Sequence, residues 1–149
     1  MVNKKTLDRA VYHYCGEVVN QNILQRKTVK WNQNGNFNKY RWDYPATAVA
    51  CSCYDNPVLI EKDYSRGVKS SHLALILANK LRLLGTIGEK SNICNFIIGR
   101  CAEPHAANKI IKKTGCKDLA NIYFSVAMRP RTREIIEYCN NCKSTFPSL

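Results

Sequence analysis

The sequence predicts an α/β sandwich built around one sheet. Apolar residues recur at helical spacing in three segments, and short apolar runs bounded by turn residues predict strands between them. Because helices and strands alternate along the chain, we expect both to share one core. At 149 residues the chain has the size of one domain and can bury a core without disulfides. We therefore expect a single domain, with a helix and hairpin over residues 1–45 and the core over 46–149.

The N-terminal third predicts one helix followed by strands. Residues 4–24 place apolar side chains at helical spacing with charge on the other face, which predicts an amphipathic helix. Residues 28–42 surround Asn34-Gly35, a pair typical of tight hairpin turns. The run "TAVACSCY" predicts a buried strand, and "VLIEKDY" over 58–64 predicts a second strand that pairs back after an Asn-Pro turn.

The C-terminal half predicts two longer helices and a central strand. Residues 71–84 predict a helix ended by Gly85, and 102–113 predict another with a capping glycine at Gly115. The segment "NIYFSVAM" predicts a central strand and "REIIEY" an extended segment. One or two helical turns are then expected before Pro147.

The charge of the chain indicates a polyanionic partner. It carries 23 basic and 11 acidic residues, a formal net charge of +12. Nucleic acid, an anionic membrane or an acidic protein would satisfy this charge, and the alternative is charge that serves solubility alone. No apolar run is long enough to cross a membrane, and the N-terminus has no signal-peptide core. The aromatic residues of the predicted hairpin could stack on bases or pack in the core.

Three of the eight cysteines have the arrangement of metal ligands. Cys139 and Cys142 form a Cys-x-x-Cys pair at a helix start, and Cys101 opens the helix predicted over 102–113. Three protein ligands leave the fourth position of zinc for water, as in catalytic sites. Glu103 is too close to Cys101 to be an efficient fourth ligand and could instead move a proton.

A closed structural zinc site is the alternative, with Cys94 or Cys116 as the fourth ligand. Such a site would leave Glu103 without a role. The remaining cysteines are expected to be reduced thiols, with Cys51 and Cys53 acting as small buried apolar residues in a strand.

The order of these features resembles the zinc-dependent cytidine deaminase superfamily. A Cys-x-Glu at a helix start is followed by a strand and then by a Cys-x-x-Cys that opens the next helix. "CAEPHAANKI", "RPRT" and "YCNNCK" are most similar to the YwqJ-like deaminase domains of bacterial polymorphic toxins, over roughly residues 46–145. The chain departs from the superfamily in having Tyr138 where Pro commonly precedes the Cys-x-x-Cys, and in having few residues after Cys142.

The resemblance implies a fold and a set of site residues. The implied fold is a three-layer α-β-α sandwich with a mixed central sheet and helices on both faces. The implied zinc ligands are Cys101, Cys139 and Cys142, which makes residues 46–149 a zinc-binding core, and Glu103 would shuttle the proton. Substrate contacts are implied more weakly for Ala102, His72 and Arg66.

The implied activity is zinc-dependent hydrolytic deamination of cytosine to uracil in nucleic acid. The resemblance also implies a secreted or delivered bacterial effector that acts in the cytoplasm of a target cell, a cognate immunity protein and no membrane partner. Two alternatives stay open: a deaminase of free cytidine or another small base, and a non-catalytic, zinc-stabilised module that binds nucleic acid.

Overall fold

The computed structural model describes residues 2–28 and 44–149, which form four α-helices and five β-strands. In chain order these are α1 Lys4–Thr28, β1 Ala48–Cys53, β2 Asn56–Tyr64, α2 Leu75–Arg82, α3 Ala102–Thr114, β3 Ile122–Phe124, β4 Ala127–Met128, β5 Ile135–Ile136 and α4 Asn140–Thr145. Apart from Thr28, the hairpin predicted over residues 28–42 lies outside the described residues.

The helices differ from the prediction mainly at their ends. α1 continues beyond the predicted end at residue 24. α2 is shorter than the predicted 71–84 because Ser70–His72 form a separate 3₁₀ turn. α3 ends as predicted, at Gly115, whose φ of 70° lies in the left-handed region that glycine adopts without strain. Among the described residues no helix is both long and apolar enough to cross a membrane.

The described sheet is antiparallel throughout, so the predicted mixed sheet is wrong for these strands. β1 lies between β2 on one side and β3 and β4 on the other, and β5 pairs with β4. Parallel neighbours need a long crossover connection. β1 and β2 are joined by a tight turn and β4 and β5 by a short loop, so both pairs must be antiparallel.

The strand predicted over residues 121–128 is interrupted at Ser125. The backbone N–H of Ser125 donates to the carbonyl of Ala50 at 2.8 Å, as in a regular sheet. The N–H of Ala50, however, donates to the hydroxyl of Ser125 at 2.9 Å and not to a backbone carbonyl. The carboxylate of Asp8 on α1 accepts the next N–H, that of Val126, at 2.8 Å. Side chains thus accept hydrogen bonds from backbone N–H groups where the pairing between strands is interrupted, and β3 and β4 form separate strands.

Helices cover both faces of the sheet, as an α/β sandwich requires. β1 is buried along its whole length, and its alternate side chains point to opposite faces. Ala48 and Ala50 pack with Leu7 and Val11 of α1 in one apolar cluster. A second, larger cluster on the opposite face joins alternate residues of β1 with α2, α3 and α4: Val49, Cys51, Cys53, Leu77, Leu81, Ala106, Ala107, Ile110 and Cys142.

Substitution of Leu77 by alanine is expected to destabilise the protein substantially. Leu77 is fully buried in the larger cluster, so the change removes apolar contacts and leaves a cavity, at a cost of about 2–5 kcal/mol in the free energy of unfolding. The matched control is Leu75→Ala, two residues earlier on α2, where the side chain is 72% exposed. Urea denaturation of both variants tests this expectation, and equal losses of stability would contradict the assigned faces of α2.

Candidate metal centre

Three cysteine sulfurs meet where α3 and α4 begin. The Sγ atoms of Cys101, Cys139 and Cys142 all lie within 4.8 Å of one another. Cys101 and Cys139 are 3.2 Å apart, and Cys139 and Cys142 are 3.5 Å apart. A disulfide would use two of these sulfurs and leave the third unpaired, whereas one metal ion can bind all three. The sequence predicted this set of ligands, and the structure brings them together.

Two helix starts supply these cysteines. Cys101 is the residue directly before α3, and Cys139 is the residue directly before α4. The phenolic hydroxyl of Tyr138 donates to the carbonyl of Ser125, which is the residue that interrupts the strand. This hydrogen bond ties the residue immediately before Cys139 to the point where the strand is interrupted. Tyr138 occupies the position where proline is common in the superfamily that the sequence resembles.

The neighbouring groups favour a thiolate at Cys139. Hydrogen bonds with the thiols of Cys101 and Cys142, together with the backbone N–H groups of Asn141 and Cys142, lower the pKa of Cys139 to about 3. The pKa of Cys101 and that of Cys142 are raised, mainly by hydrogen bonds within the cluster and also by burial. Without metal, one negative charge is thus held on a cluster that opens two helices.

Glu103 lies against the cluster in the first turn of α3. Its side chain is only 3% exposed, and Oε2 accepts a hydrogen bond from Cys142 Sγ at 3.3 Å. Burial raises the pKa of Glu103 to about 7. Glu103 is not one of the grouped ligands, although it contacts one of them. The structure therefore places a buried carboxyl beside the candidate metal position.

The donor set can hold a metal ion and fits zinc. Thiolates are typical zinc ligands, and a tetrahedral ion with Zn–S bonds of about 2.3 Å separates its sulfurs by roughly 3.8 Å. The separations of 3.2 and 3.5 Å are a few tenths of an ångström smaller, so slight opening of the cluster would admit the ion. Within residues 2–28 and 44–149, no fourth histidine, cysteine or carboxylate joins the group. Three protein ligands are the number found in zinc sites that keep one position open.

The cysteines of the alternative closed site lie elsewhere. Cys94 is near Ser91 in the loop before α3, with its sulfur 3.6 Å from the serine hydroxyl. Cys116 follows the far end of α3, and its sulfur is 3.3 Å from that of Cys53. Neither belongs to the group of sulfurs at the start of α3. The described residues thus give no support to a four-cysteine site built from these candidates.

Arg66 is adjacent to the site through its backbone. Its N–H donates to the carbonyl of Arg100, directly before Cys101, at 3.0 Å, and its carbonyl accepts from His105 Nε2 at 3.0 Å. The guanidinium is bonded to the buried carboxylate of Asp63. Although burial opposes ionisation of Asp63, hydrogen bonds from Arg66 and the Tyr64 N–H leave its pKa lowered. Arg66 thus fixes the start of α3, and its partly exposed guanidinium already has a partner.

Ala102 and His72, the other two residues predicted to contact substrate, lie in different surroundings. Ala102 is fully buried in the larger core cluster, so its side chain is not available to a ligand. His72 is exposed, and its carbonyl accepts hydrogen bonds from Asn108 and Lys112 on the later turns of α3. Asn108 is about 7.5 Å further along the helix axis than Glu103. The structure does not bring the backbone of His72 to the cysteine cluster.

Asn141 is a site residue that the sequence analysis did not identify. It lies inside the Cys-x-x-Cys turn, is 3% exposed, and donates through Nδ2 to the carbonyl of Phe96 at 3.1 Å. Its Oδ1 is buried and has no hydrogen-bond partner among the residues that the structure describes. This contact fixes the loop before α3 against the turn, while the ring of Phe96 is 58% exposed. The sequence pointed to Asn141 only through its position between the two cysteines of the Cys-x-x-Cys pair. Its burial depends on the loop that contains Phe96, which is distant in sequence.

Gly99 allows the chain before Cys101 to approach the segment around Val68 closely. Its φ is +85°, in the left-handed region, and a Cβ atom at this position would lie 3.0 Å from Cγ1 of Val68. Both the conformation and the contact disfavour a larger residue. The chain that leads to Cys101 therefore packs directly on the segment that carries Arg66.

Comparison with known proteins gives no relative for this chain. No protein-family model, no curated protein and no solved structure matches it. The arrangement of the residues themselves is therefore the basis for a proposal about function.

When both variants are supplied with zinc, we expect Cys142→Ser to bind much less of it than Cys94→Ser. The first change removes one of three clustered sulfurs, whereas Cys94 lies outside the cluster. The metal content of the purified variants, measured by inductively coupled plasma mass spectrometry after dialysis, checks this. Equal zinc content in the two variants would contradict the assigned ligands.

The stability of the metal-free protein is expected to depend on Glu103 in a pH-dependent way. The pKa of this carboxyl is raised from 4.5 to about 7 in the folded state. Between these values the folded protein keeps a proton that the unfolded chain has released, so this group lowers stability as pH rises. Glu103→Gln removes the titration. The free energy of unfolding of Glu103→Gln minus that of the wild type should therefore increase as the pH rises from 4.5 to about 7. The increase is at most about 1.4 kcal/mol per pH unit.

Urea denaturation in chelator and reductant, at several pH values across the window, measures that difference. Glu137→Gln is the control, because Glu137 is exposed and lies just before the same turn. A difference between Glu103→Gln and wild type that is constant with pH would show that the carboxyl is not desolvated as described.

Proposed function

We propose that this protein is a zinc-dependent hydrolytic deaminase that converts cytosine to uracil in nucleic acid. The observation that carries the proposal is the buried carboxyl of Glu103 beside a cluster of three cysteines. A structural zinc site needs four protein ligands and no acid. Three thiols with a carboxyl in contact match the needs of a hydrolytic site, in which one metal position binds water and a nearby group moves protons.

Each residue then has a role in the reaction. Cys101, Cys139 and Cys142 hold zinc, which when bound supplies a Lewis acid that activates water. The Glu103 carboxylate accepts a proton from the attacking water at Oε and delivers it to the ring nitrogen beside the reacting carbon. The remaining proton of the added hydroxyl then passes through the same oxygen to the amino group, which leaves as ammonia. Water is consumed, the exocyclic C–N bond breaks and a carbonyl replaces the amine.

Burial of Glu103 supports this role. In the metal-free protein this burial raises the pKa of Glu103 to about 7, so the carboxyl is held where few polar groups compete for its proton. The first turn of α3 holds the carboxyl at a fixed position relative to Cys101, since the two residues are only two positions apart at the start of the helix. Acid and ligands are therefore already adjacent, and only the slight opening of the sulfur cluster is needed to admit the ion.

The net charge of +12 supports a polymeric substrate. A nucleic acid presents a dense row of phosphates, and neutralising them with lysine and arginine gives affinity that decreases with salt. A free nucleoside has no such row. Because the reacting amine is inaccessible in a stacked duplex, the target base must be single-stranded or flipped out. The exposed ring of Phe96, whose backbone is fixed to the Cys-x-x-Cys turn, is available for stacking on a base.

The biological context is part of the same proposal. The resemblance noted in the sequence suggests a bacterial toxin domain that is delivered into a target cell and acts in its cytoplasm. Unrestrained deamination would damage the producing cell, so an immunity protein is expected. An acidic inhibitor would complement the charge of this chain.

Glu103→Ala is expected to lower the rate of deamination by about 10²–10⁴-fold while zinc content stays unchanged, because the change removes the proton carrier and no ligand. Ammonia release is measured with cytidine, single-stranded DNA, duplex DNA and RNA as substrates, and the polymer products are sequenced. Glu137→Gln, an exposed acidic residue near the same turn, should retain activity.

The substrate panel separates the alternatives. Conversion in one polymer supports the proposal, whereas conversion of cytidine alone would assign the protein to nucleoside metabolism. Salt-dependent binding of oligonucleotides without conversion of any substrate, in wild type and Glu103→Ala alike, would identify a non-catalytic zinc module and overturn the proposal.

A further inference from the structure

A second pair of cysteines lies at the opposite end of α3 from the metal centre. Cys53 is the last residue of β1, and Cys116 follows Gly115, the residue that caps α3. Their sulfurs are 3.3 Å apart. α3 has 13 residues and therefore spans roughly 20 Å. The pair is thus well separated from Cys101 and cannot contribute to the same site.

The position of the pair follows from the packing of α3 on β1. The helix lies across β1, and its end reaches the end of the strand, where both cysteines join the larger core cluster. The backbone N–H of Cys116 donates to the Thr114 hydroxyl at 3.2 Å, which holds the turn after the helix. The two thiols are therefore fixed next to each other by the native fold.

A cavity gives solvent access to this pair. It has a volume of about 530 Å³ and is lined by both cysteines, by polar residues and by acidic and basic side chains, among them Asp55, Lys117 and Asp118. Cys116 is 9% exposed and Cys53 is 1% exposed. A low-molecular-weight reagent that enters the cavity would therefore meet Cys116 first.

We propose that Cys53 and Cys116 are a redox site that forms a reversible intramolecular disulfide. With a low-molecular-weight disulfide such as oxidised glutathione as the oxidant, the Cys116 sulfur attacks one sulfur of the reagent and releases the first thiol. The Cys53 sulfur then displaces the second thiol from the mixed disulfide. One S–S bond forms and one breaks, and the two cysteine protons end on the two released thiols. The two cysteines are oxidised and the reagent is reduced.

The disulfide would join the end of β1 to the end of α3. The loop that it closes contains α2, α3 and Glu103, so cross-linking restricts the unfolded chain and stabilises the fold. Burial raises the pKa of Cys116 to about 11, so little thiolate is present at neutral pH and formation is slow. The metal centre at the other end of α3 keeps its ligands in both redox states. This inference does not depend on the proposed deaminase activity.

The test uses the full, zinc-loaded chain incubated with oxidised glutathione at mildly alkaline pH. Free thiols are then blocked, and the protease digest is mapped by mass spectrometry with and without reductant. We expect a cross-linked peptide containing Cys53 and Cys116, its loss on reduction, retained zinc, and a higher midpoint of thermal unfolding for the oxidised form.

Three variants make the result specific. Cys53→Ser should stop at a glutathione adduct on Cys116, and Cys116→Ser should form neither adduct nor cross-link at this place. Cys51→Ser, a buried cysteine on the same strand, should still form the cross-link. A native wild-type protein that forms no such cross-link after prolonged incubation, or that links Cys53 or Cys116 to other cysteines instead, would overturn the proposal whatever the variants do.

Discussion

The packing of α3 on the sheet is the interaction on which the fold and the candidate metal centre both depend. The helix lies over β1 and β2, and the alanines that face the sheet are completely buried. Small side chains at Ala102, Ala106 and Ala107 allow the helix to approach the strands closely, while Ile110 fills the space further along. Because the helix is fixed against the fully buried β1, its two ends have fixed positions. Cys101 stands at one end and Cys116 at the other.

The polar groups around the start of α3 are desolvated, and most of them have partners that offset the cost. Asp63 is paired with Arg66 and lies 3.4 Å from the ammonium of Lys109, and His105 donates to the Arg66 carbonyl. These contacts fix the helix start and its neighbouring loop without any ligand. Glu103 differs, because its only described side-chain partner is a thiol of the cluster. A carboxyl buried beside the cysteine cluster is costly for folding alone, and this cost supports the proposed role of Glu103 in proton transfer.

The two ends of α3 carry different cysteine chemistry because their surroundings differ. At the start, three sulfurs meet at two helix N-termini, where backbone N–H groups help to favour a thiolate at Cys139, the form that binds metal. At the end, two thiols lie against the core, where burial disfavours thiolate at Cys116 and only its slow oxidation is available. Since roughly 20 Å of helix separates the two places, a change in one need not alter the ligands of the other.

The sequence by itself determined the helices, the cap at Gly115, the first two strands and the cysteines that form the cluster, because periodicity, turn residues and Cys-x-x-Cys spacing are local signals. Only the tertiary structure decided the pairing of β1 with β3 and β4, the interruption at Ser125, the burial of Asn141 and the pairing of Cys53 with Cys116. Each of these depends on contacts between segments far apart in the chain, such as Ser125 with Ala50 and Asn141 with Phe96. No local pattern encodes such contacts, because they form only when α3 and its loops are packed on the sheet.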